Sequence, residues 1–226
     1  MTEAEWAACP DVPRMLAFLG ASGGRWKCGA RKWRLFGCAC CRRLWPLLDE
    51  TNRRAVDVAE RFADKRATLA ELKAARQPAE GASLDPDYKP VVQLLSVNAP
   101  HAASWAAHDA RALVGLYTEH RTARGKYDRS AEDAEGQAQR DLLQDLIGAL
   151  PFRPAATDPA WLHWNAGGIP KLAQAVYEER AFDRLPVLAD ALEEAGCTEP
   201  DLLGHLRGPG PHVRGCFALD LLLQKT

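Results

Sequence analysis

The sequence lacks most of the features that would announce a function. No apolar run approaches the roughly 20 residues needed to span a bilayer, and the opening Met1-Thr-Glu-Ala-Glu-Trp6 is acidic where a leader peptide would be basic. The expectation is a cytoplasmic chain with no membrane partner. An excess of one charge is missing too, since 29 Lys and Arg face 30 Asp and Glu for a net charge of −1. That balance removes any whole-molecule argument for nucleic acid or an acidic surface, so charge has to be read locally. Gly-rich phosphate loops, His-Glu-x-x-His helices and Gly-x-Ser-x-Gly elbows are all wanting. Strict apolar and polar alternation, the mark of a half-buried strand, is scarce. A fully paired disulfide framework is also poorly matched, because seven cysteines is an odd count and three of them crowd into Cys38, Cys40 and Cys41. Free thiols in a reducing compartment suit that pattern.

What the chain does have is helical spacing, and 47% apolar content over 226 residues is enough to build a core without metal or disulfide. Val12 to Leu19 reads as a short helix with Pro13 in its first turn, halted by the Gly20 to Gly24 stretch. Arg31 to Leu48 carries Trp33, Phe36, Cys40, Leu44 and Leu47 on one stripe with Leu35, Cys38 and Trp45 beside it, a width that predicts burial on more than one side. Asn52 is positioned to cap a helix through Phe62, and Thr68-Leu-Ala-Glu71 is a capping box. Residues 78 to 90 hold Pro78, Gly81, Pro86 and Pro90 and predict a loop, with a short helix from Pro90 to Val97. His101 to His120 and a segment capped by Ser130-Ala-Glu-Asp133 predict a long helical hairpin. Pro151 to Pro170 predicts an irregular segment folded over the core, and further helices follow to Gly196 and beyond. The fold class expected is all-α, a compact multi-helix bundle. An N-terminal lobe over 1–77 and a second lobe over 91–226 would form one continuous domain.

The stretch Leu202 to Leu222 resembles one HEAT-type repeat: a first helix with a leucine pair, a Pro-containing turn, and the Val213-Arg214 pair opening a second amphipathic helix. The match covers about a tenth of the chain and no second copy appears at a fixed period, so a full solenoid is not implied. The resemblance implies HEAT-like hairpin packing at the C-terminus and a protein-binding face. Over its whole length the chain also resembles a bacterial family of paralogous proteins that share the Trp33 to Arg43 segment, Ala160-Trp161-Leu162 and the Arg207 to Asp220 segment. That resemblance implies no activity and carries over no functional residue.

Three constellations could carry chemistry. Cys38 and Cys41 lie three apart on one helix face, and Cys28 or Cys9 could complete a thiolate site for zinc; with Arg34, Arg42 and Arg43 nearby, the same thiols could instead be redox-active. Packing as small hydrophobes competes with both. Arg25, Lys27, Arg31, Lys32 and Arg34, with Trp26 and Trp33 interleaved, could track phosphates while rings stack on bases, unless these charges pair internally with acidic segments. Arg207, His212 and Arg214 flank the Gly208-Pro-Gly-Pro211 turn and could hold an anion. His101 and His108 stand two helical turns apart on one face with Trp105 between them. The functional expectation is a helical protein, not an enzyme, that binds a partner protein, with a nucleic-acid module through Arg25 to Arg54 or a metal- or thiol-dependent role for Cys38 and Cys41 as alternatives.

Overall fold

The computed structural model describes residues 1–21, 28–117, 127–153 and 157–225. Among these residues the regular structure is helical throughout, with no strand, so the protein is all-α. No helix is long and apolar enough to cross a membrane. The chain divides into two compact units, Met1–Leu143 and Gln144–Thr226. The stretch 78–90, read as a lobe boundary, therefore lies inside the first unit.

The first unit opens with α1 (Glu3–Ala8), held by a reciprocal Thr2 and Glu5 capping box that buries Trp6. α2 (Val12–Ala21) buries Val12, Met15, Leu16 and Leu19, the i, i+3, i+4, i+7 stripe of an amphipathic helix. α3 (Ala30–Arg43) is buried without a break from Lys32 to Cys41, as the width of its apolar stripe predicts. It stops before Pro46, and Trp45–Leu47 continues as a single 3-10 turn. α4 (Glu50–Ala63) is capped by Asp49, whose carboxylate accepts the Asn52 backbone N–H at 2.8 Å. Asn52 itself sits inside the first turn and donates its amide to Asp49 and, at 2.7 Å, to the Ala82 carbonyl. The predicted capping box at Thr68 and Glu71 is present and opens α5 (Leu69–Ala74). α6 (Arg76–Gly81) occupies part of the expected loop. Pro78 falls in its first turn, where a missing N–H leaves no bond unmade.

α7 (Pro90–Leu94) and α8 (Ala99–Leu116) pack with α3 to form the centre of this unit. The face of α8 that meets α3 is built of alanine, with Ala102, Ala103, Ala106 and Ala110 fully buried. Gly37 of α3 lies opposite: a Cβ there would meet Leu94 Cδ1 at 3.0 Å and Ala103 Cα at 3.5 Å. Small residues on both sides thus permit a close backbone approach. Arg34, only 2% exposed, is drawn into the same contact. Its guanidinium donates to the carbonyls of Leu94 at 2.7 Å, Ser96 at 2.9 Å and Val97 at 3.2 Å, and lies over the Phe62 ring. A fixed cation therefore answers the acceptors left at the C-terminal end of α7.

α9 (Arg129–Ile147) is capped by Asp128, which accepts from the Ser130 N–H, the Ser130 hydroxyl and the Ala131 N–H, in place of the expected Ser130 cap. Within the first unit α9 runs antiparallel to α8, as Asp128 N donates to Gly115 O, Arg111 lies near Glu132, and Gln139 reaches Ala107. Hairpin geometry is thus as expected; residues 118–126 lie outside the described residues.

In the second unit, α10 (Pro159–Glu179) departs from the predicted irregular segment. Asp158 caps it, the backbone breaks at Trp164–Gly167, and helix resumes with Pro170 in the new first turn. α11 (Leu185–Glu194), α12 (Pro200–Arg207) and α13 (Phe217–Leu222) complete a core around Tyr177, Leu188, Leu206 and Leu219. The second helix of the HEAT-like segment starts at Phe217, not at the Val213-Arg214 pair. Val213 N–H is committed to the Asp145 carboxylate, Arg214 lies over the Tyr177 ring, and Gly215 takes φ +89°. These three commitments hold the chain in a turn.

Arg34→Met keeps most of the apolar volume and leaves the buried Leu94 carbonyl and the part-buried Ser96 and Val97 carbonyls without their donor. It should lower stability by about 3 kcal/mol, read as a reduced urea midpoint at unchanged slope.

Candidate functional sites: an aromatic cleft and a convergent ligand group

α8 shows alanine to α3 and a different face to solvent. His101, Trp105 and His108 recur at i, i+4 and i+7 on that face and line a cleft of about 630 Å³ in the first unit, together with residues of α2, α3 and α9. Neighbouring rings are in contact along the rim: His101 and Trp105 have centroids 6.1 Å apart, and Trp105 and His108 meet edge-on at 5.4 Å. Trp105 is 47% exposed, a large apolar side chain left open to solvent. His108 is oriented by Asp109, whose carboxylate lies 3.1 Å from Nδ1 and also accepts the Lys89 N–H.

The polar lining of the cleft comes from Arg111, Glu132 and Gln139. Gln139 is 0% exposed and is fixed by donation from Nε2 to the Ala107 carbonyl at 3.0 Å. Its Oε1 has no hydrogen-bond partner among the described residues, and neither does Arg111 Nε. Arg111 lies flat on α9 because position 136 is glycine, where a Cβ would come within 3.1 Å of Nε and Cζ. Arg111 thus packs one helical turn from Gln139, and both residues line the cleft. Sequence signals point only to the His101, Trp105 and His108 face of this cleft; Arg111 and Gln139 carry no signature in sequence.

The thiols proposed for zinc or redox chemistry have a different setting. Cys38, Cys40 and Cys41 are fully buried in α3, and burial pushes each thiol well above its ordinary value, with neighbouring acidic groups acting in the same direction on Cys38 and Cys41. Cys28 is half-buried, and desolvation pushes its thiol up to about 12. The structure does not gather Cys28, Cys38 and Cys41 into a group able to hold an ion among the described residues.

Of the residues proposed to contact nucleic acid, Arg25 and Lys27 lie outside the described residues. Arg31 donates to Asp64 at 2.9 Å, Lys32 is buried, and Arg34 serves the α7 carbonyls. Further along, Arg42 forks onto Glu60 and stacks on Trp45 at 4.0 Å, and Arg43 pairs with Glu135 at 2.8 Å. The basic stretch is thus largely spent on internal partners.

The anion-holding trio is also separated. Arg207 pairs with Asp190 at 2.7 Å and with Glu193, while Arg214 sits over Tyr177 with Glu178 at 3.6 Å. His212 turns to Asp145, its Nδ1 2.9 Å from Oδ1. There it joins a group that sequence reading missed. His205 Nε2 lies 3.2 Å from the same Asp145 oxygen and 3.0 Å from Cys216 Sγ, and the four candidate ligand atoms all lie within 4.8 Å of one another. Asp145 ends α9, His205 belongs to α12, His212 to the turn, and Cys216 precedes α13. All four belong to the second unit. Burial pushes the Asp145 carboxyl up, but hydrogen bonds from both histidines outweigh it and hold the group below its ordinary value. For His212, burial acts downward and the bonds to Asp145 and the Gly208 carbonyl prevail, raising it.

Buried thiols with raised values are poor nucleophiles. Iodoacetamide at neutral pH should therefore leave Cys38, Cys40 and Cys41 unmodified in the folded protein and alkylate them only in urea, as read by peptide mass spectrometry; rapid labelling of the folded chain would restore the thiol-chemistry reading. Comparison of the chain with protein-family models, curated proteins and solved structures gives no match.

Proposed function

We propose that this protein acts by binding: the cleft of the first unit takes a small, flat, mostly apolar molecule that carries an amide-like edge. The observation that carries this reading is that two residues lining the cleft, Gln139 and Arg111, each hold a buried polar atom without a partner among the described residues, the acceptor Oε1 and the donor Nε. A buried polar atom left unsatisfied costs about 1 to 3 kcal/mol, and a ligand that supplies the missing bond recovers that energy. A cis N–H and C=O, as in a lactam or a nucleobase edge, matches the pair. The cleft volume of about 630 Å³ falls within the usual range for small-molecule sites, and the rings of His101, Trp105 and His108 offer stacking surface.

A second reading keeps the partner protein expected from sequence. It is favoured by the exposure of Trp105 at 47% and of Val97 at 55%, both apolar side chains of the kind that anchor protein interfaces. In that case the cleft receives a side chain of the partner, with Trp105 at the contact.

Two probes of equal shape separate these readings. The lactam 2-quinolone should shift the tryptophan fluorescence and bind about tenfold more tightly than naphthalene, a preference worth about 1.4 kcal/mol. Gln139→Met should erase the preference while leaving the fold intact by circular dichroism. If neither probe binds, the small-molecule reading fails, and a photo-cross-linker placed at position 105 in the native cell then tests for a protein adduct.

A further inference from the structure

The second unit contains a group of side chains that the cleft does not use. We infer that Asp145, His205, His212 and Cys216 form a closed four-ligand site for a zinc-type transition-metal ion. One carboxylate, two imidazoles and one thiol make a ligand set of borderline softness, suited to zinc and foreign to magnesium or calcium, which prefer oxygen alone.

The geometry converges on one point. Oδ1 of Asp145, Nε2 of His205, Nδ1 of His212 and Sγ of Cys216 are mutually within 4.8 Å. Metal–ligand distances of about 2.0 Å to N or O and about 2.3 Å to S place tetrahedral ligand atoms about 3.3 to 3.5 Å apart. The contacts of 2.9, 3.0 and 3.2 Å are shorter than this and the group's spread of up to 4.8 Å is longer, so some ligand pairs must open and others close to admit an ion.

A catalytic relay of Cys, His and Asp would look different. In such a relay the carboxylate and the thiol meet opposite nitrogens of the imidazole, so that a proton can pass from one side while the other side is oriented. Here Asp145 and Cys216 both approach Nε2 of His205. Two groups meeting the same nitrogen cannot form that relay, but they can share a cation with it. The burial of Asp145, His212 and Cys216 also leaves little access for a substrate.

Groups around the cluster aim its ligands inward. His212 Nε2 faces the Gly208 carbonyl at 3.1 Å, which accepts a hydrogen bond from that nitrogen and leaves Nδ1 toward the centre. Asp145 Oδ2 accepts the Val213 N–H at 3.0 Å, which leaves Oδ1 as the inward oxygen. Orientation of this kind, shown here for His212 and Asp145 by bonds of their outer atoms to backbone, is usual around protein metals. The turn supports the same arrangement: Gly210 takes φ +88°, and a Cβ there would sit 2.9 Å from His212 N. The alternative is an ion-free pair in which His212 is doubly protonated between two oxygens, and the experiment separates the two.

The full-length chain, purified without an affinity tag under reducing conditions, should contain close to one equivalent of zinc by elemental analysis. Chelation should lower the melting temperature, and refilling with cobalt(II) should give the visible bands of a tetrahedral ion and a thiolate-to-cobalt charge-transfer band. Cys216→Ser should abolish the charge-transfer band and weaken metal binding by more than about 100-fold, beyond the loss typical of an outer partner. His205→Gln provides a second variant should the first not fold. The double variant Cys38→Ser, Cys41→Ser should keep the band. No zinc on purification and no cobalt spectrum on titrating the folded chain would overturn the inference, as would a band that survives Cys216→Ser and disappears with the N-terminal pair.

Discussion

Arg34 places a full positive charge inside the first unit, and much of that unit is arranged around it. Water is excluded there, so the guanidinium depends on the carbonyls of Leu94, Ser96 and Val97, and those carbonyls depend equally on it. The bond set can form only if α3 comes close to the end of α7, and α3 comes close only because Gly37 and the alanines of α8 present no bulk at the contact. Charge, small residues and helix termini therefore act as one constraint. It also decides the fate of the neighbouring thiols: a helix buried on several sides keeps Cys38, Cys40 and Cys41 away from solvent and raises them, which leaves them as packing residues.

The same constraint accounts for the basic stretch. A basic stretch with Trp26 and Trp33 interleaved resembles a phosphate-tracking surface when read along the chain, yet a helix distributes its side chains around its circumference. Arg31 meets Asp64, Arg34 meets carbonyls, Arg42 meets Glu60 and Trp45, and Arg43 meets Glu135. Buried arginines need such partners because an uncompensated charge is costly in a dry interior, and the planar guanidinium can bond several acceptors at once.

How much of this was legible in sequence depends on how local each signal is. The stripe of α2, the width of α3 and the Thr68 capping box are set by residues within one or two turns, and all are present. Asn52 and Ser130 are cap residues by sequence, but Asp49 and Asp128, three and two residues earlier, present a stronger acceptor and take that place. The helix after Asp158 was read as irregular since Pro170, Gly167 and Gly168 all oppose helix locally. The chain accommodates them by breaking at Trp164–Gly167 and starting a new turn beneath Pro170. His212 was singled out, but for an anion. The feature that reassigns it is Asp145, 67 residues earlier, and a separation of that kind can be seen only once the chain is folded.

The two units solve the problem of fixing short helices in different ways. In the first, α8 packs against α3 and α7, and the buried Arg34 ties the end of the short α7. In the second, α12 and α13 span eight and six residues, lengths that are marginal without tertiary support. The turn between them is fixed at both ends by groups that bond Asp145: Val213 through its N–H and His212 through its ring. Asp145 is therefore the point at which α9, α12, the turn and α13 meet, and a single carboxylate offers few bonds for so many elements. A shared cation would let it engage His205, His212 and Cys216 together, and removing the ion should loosen α12 and α13 before the leucine core around Tyr177 gives way.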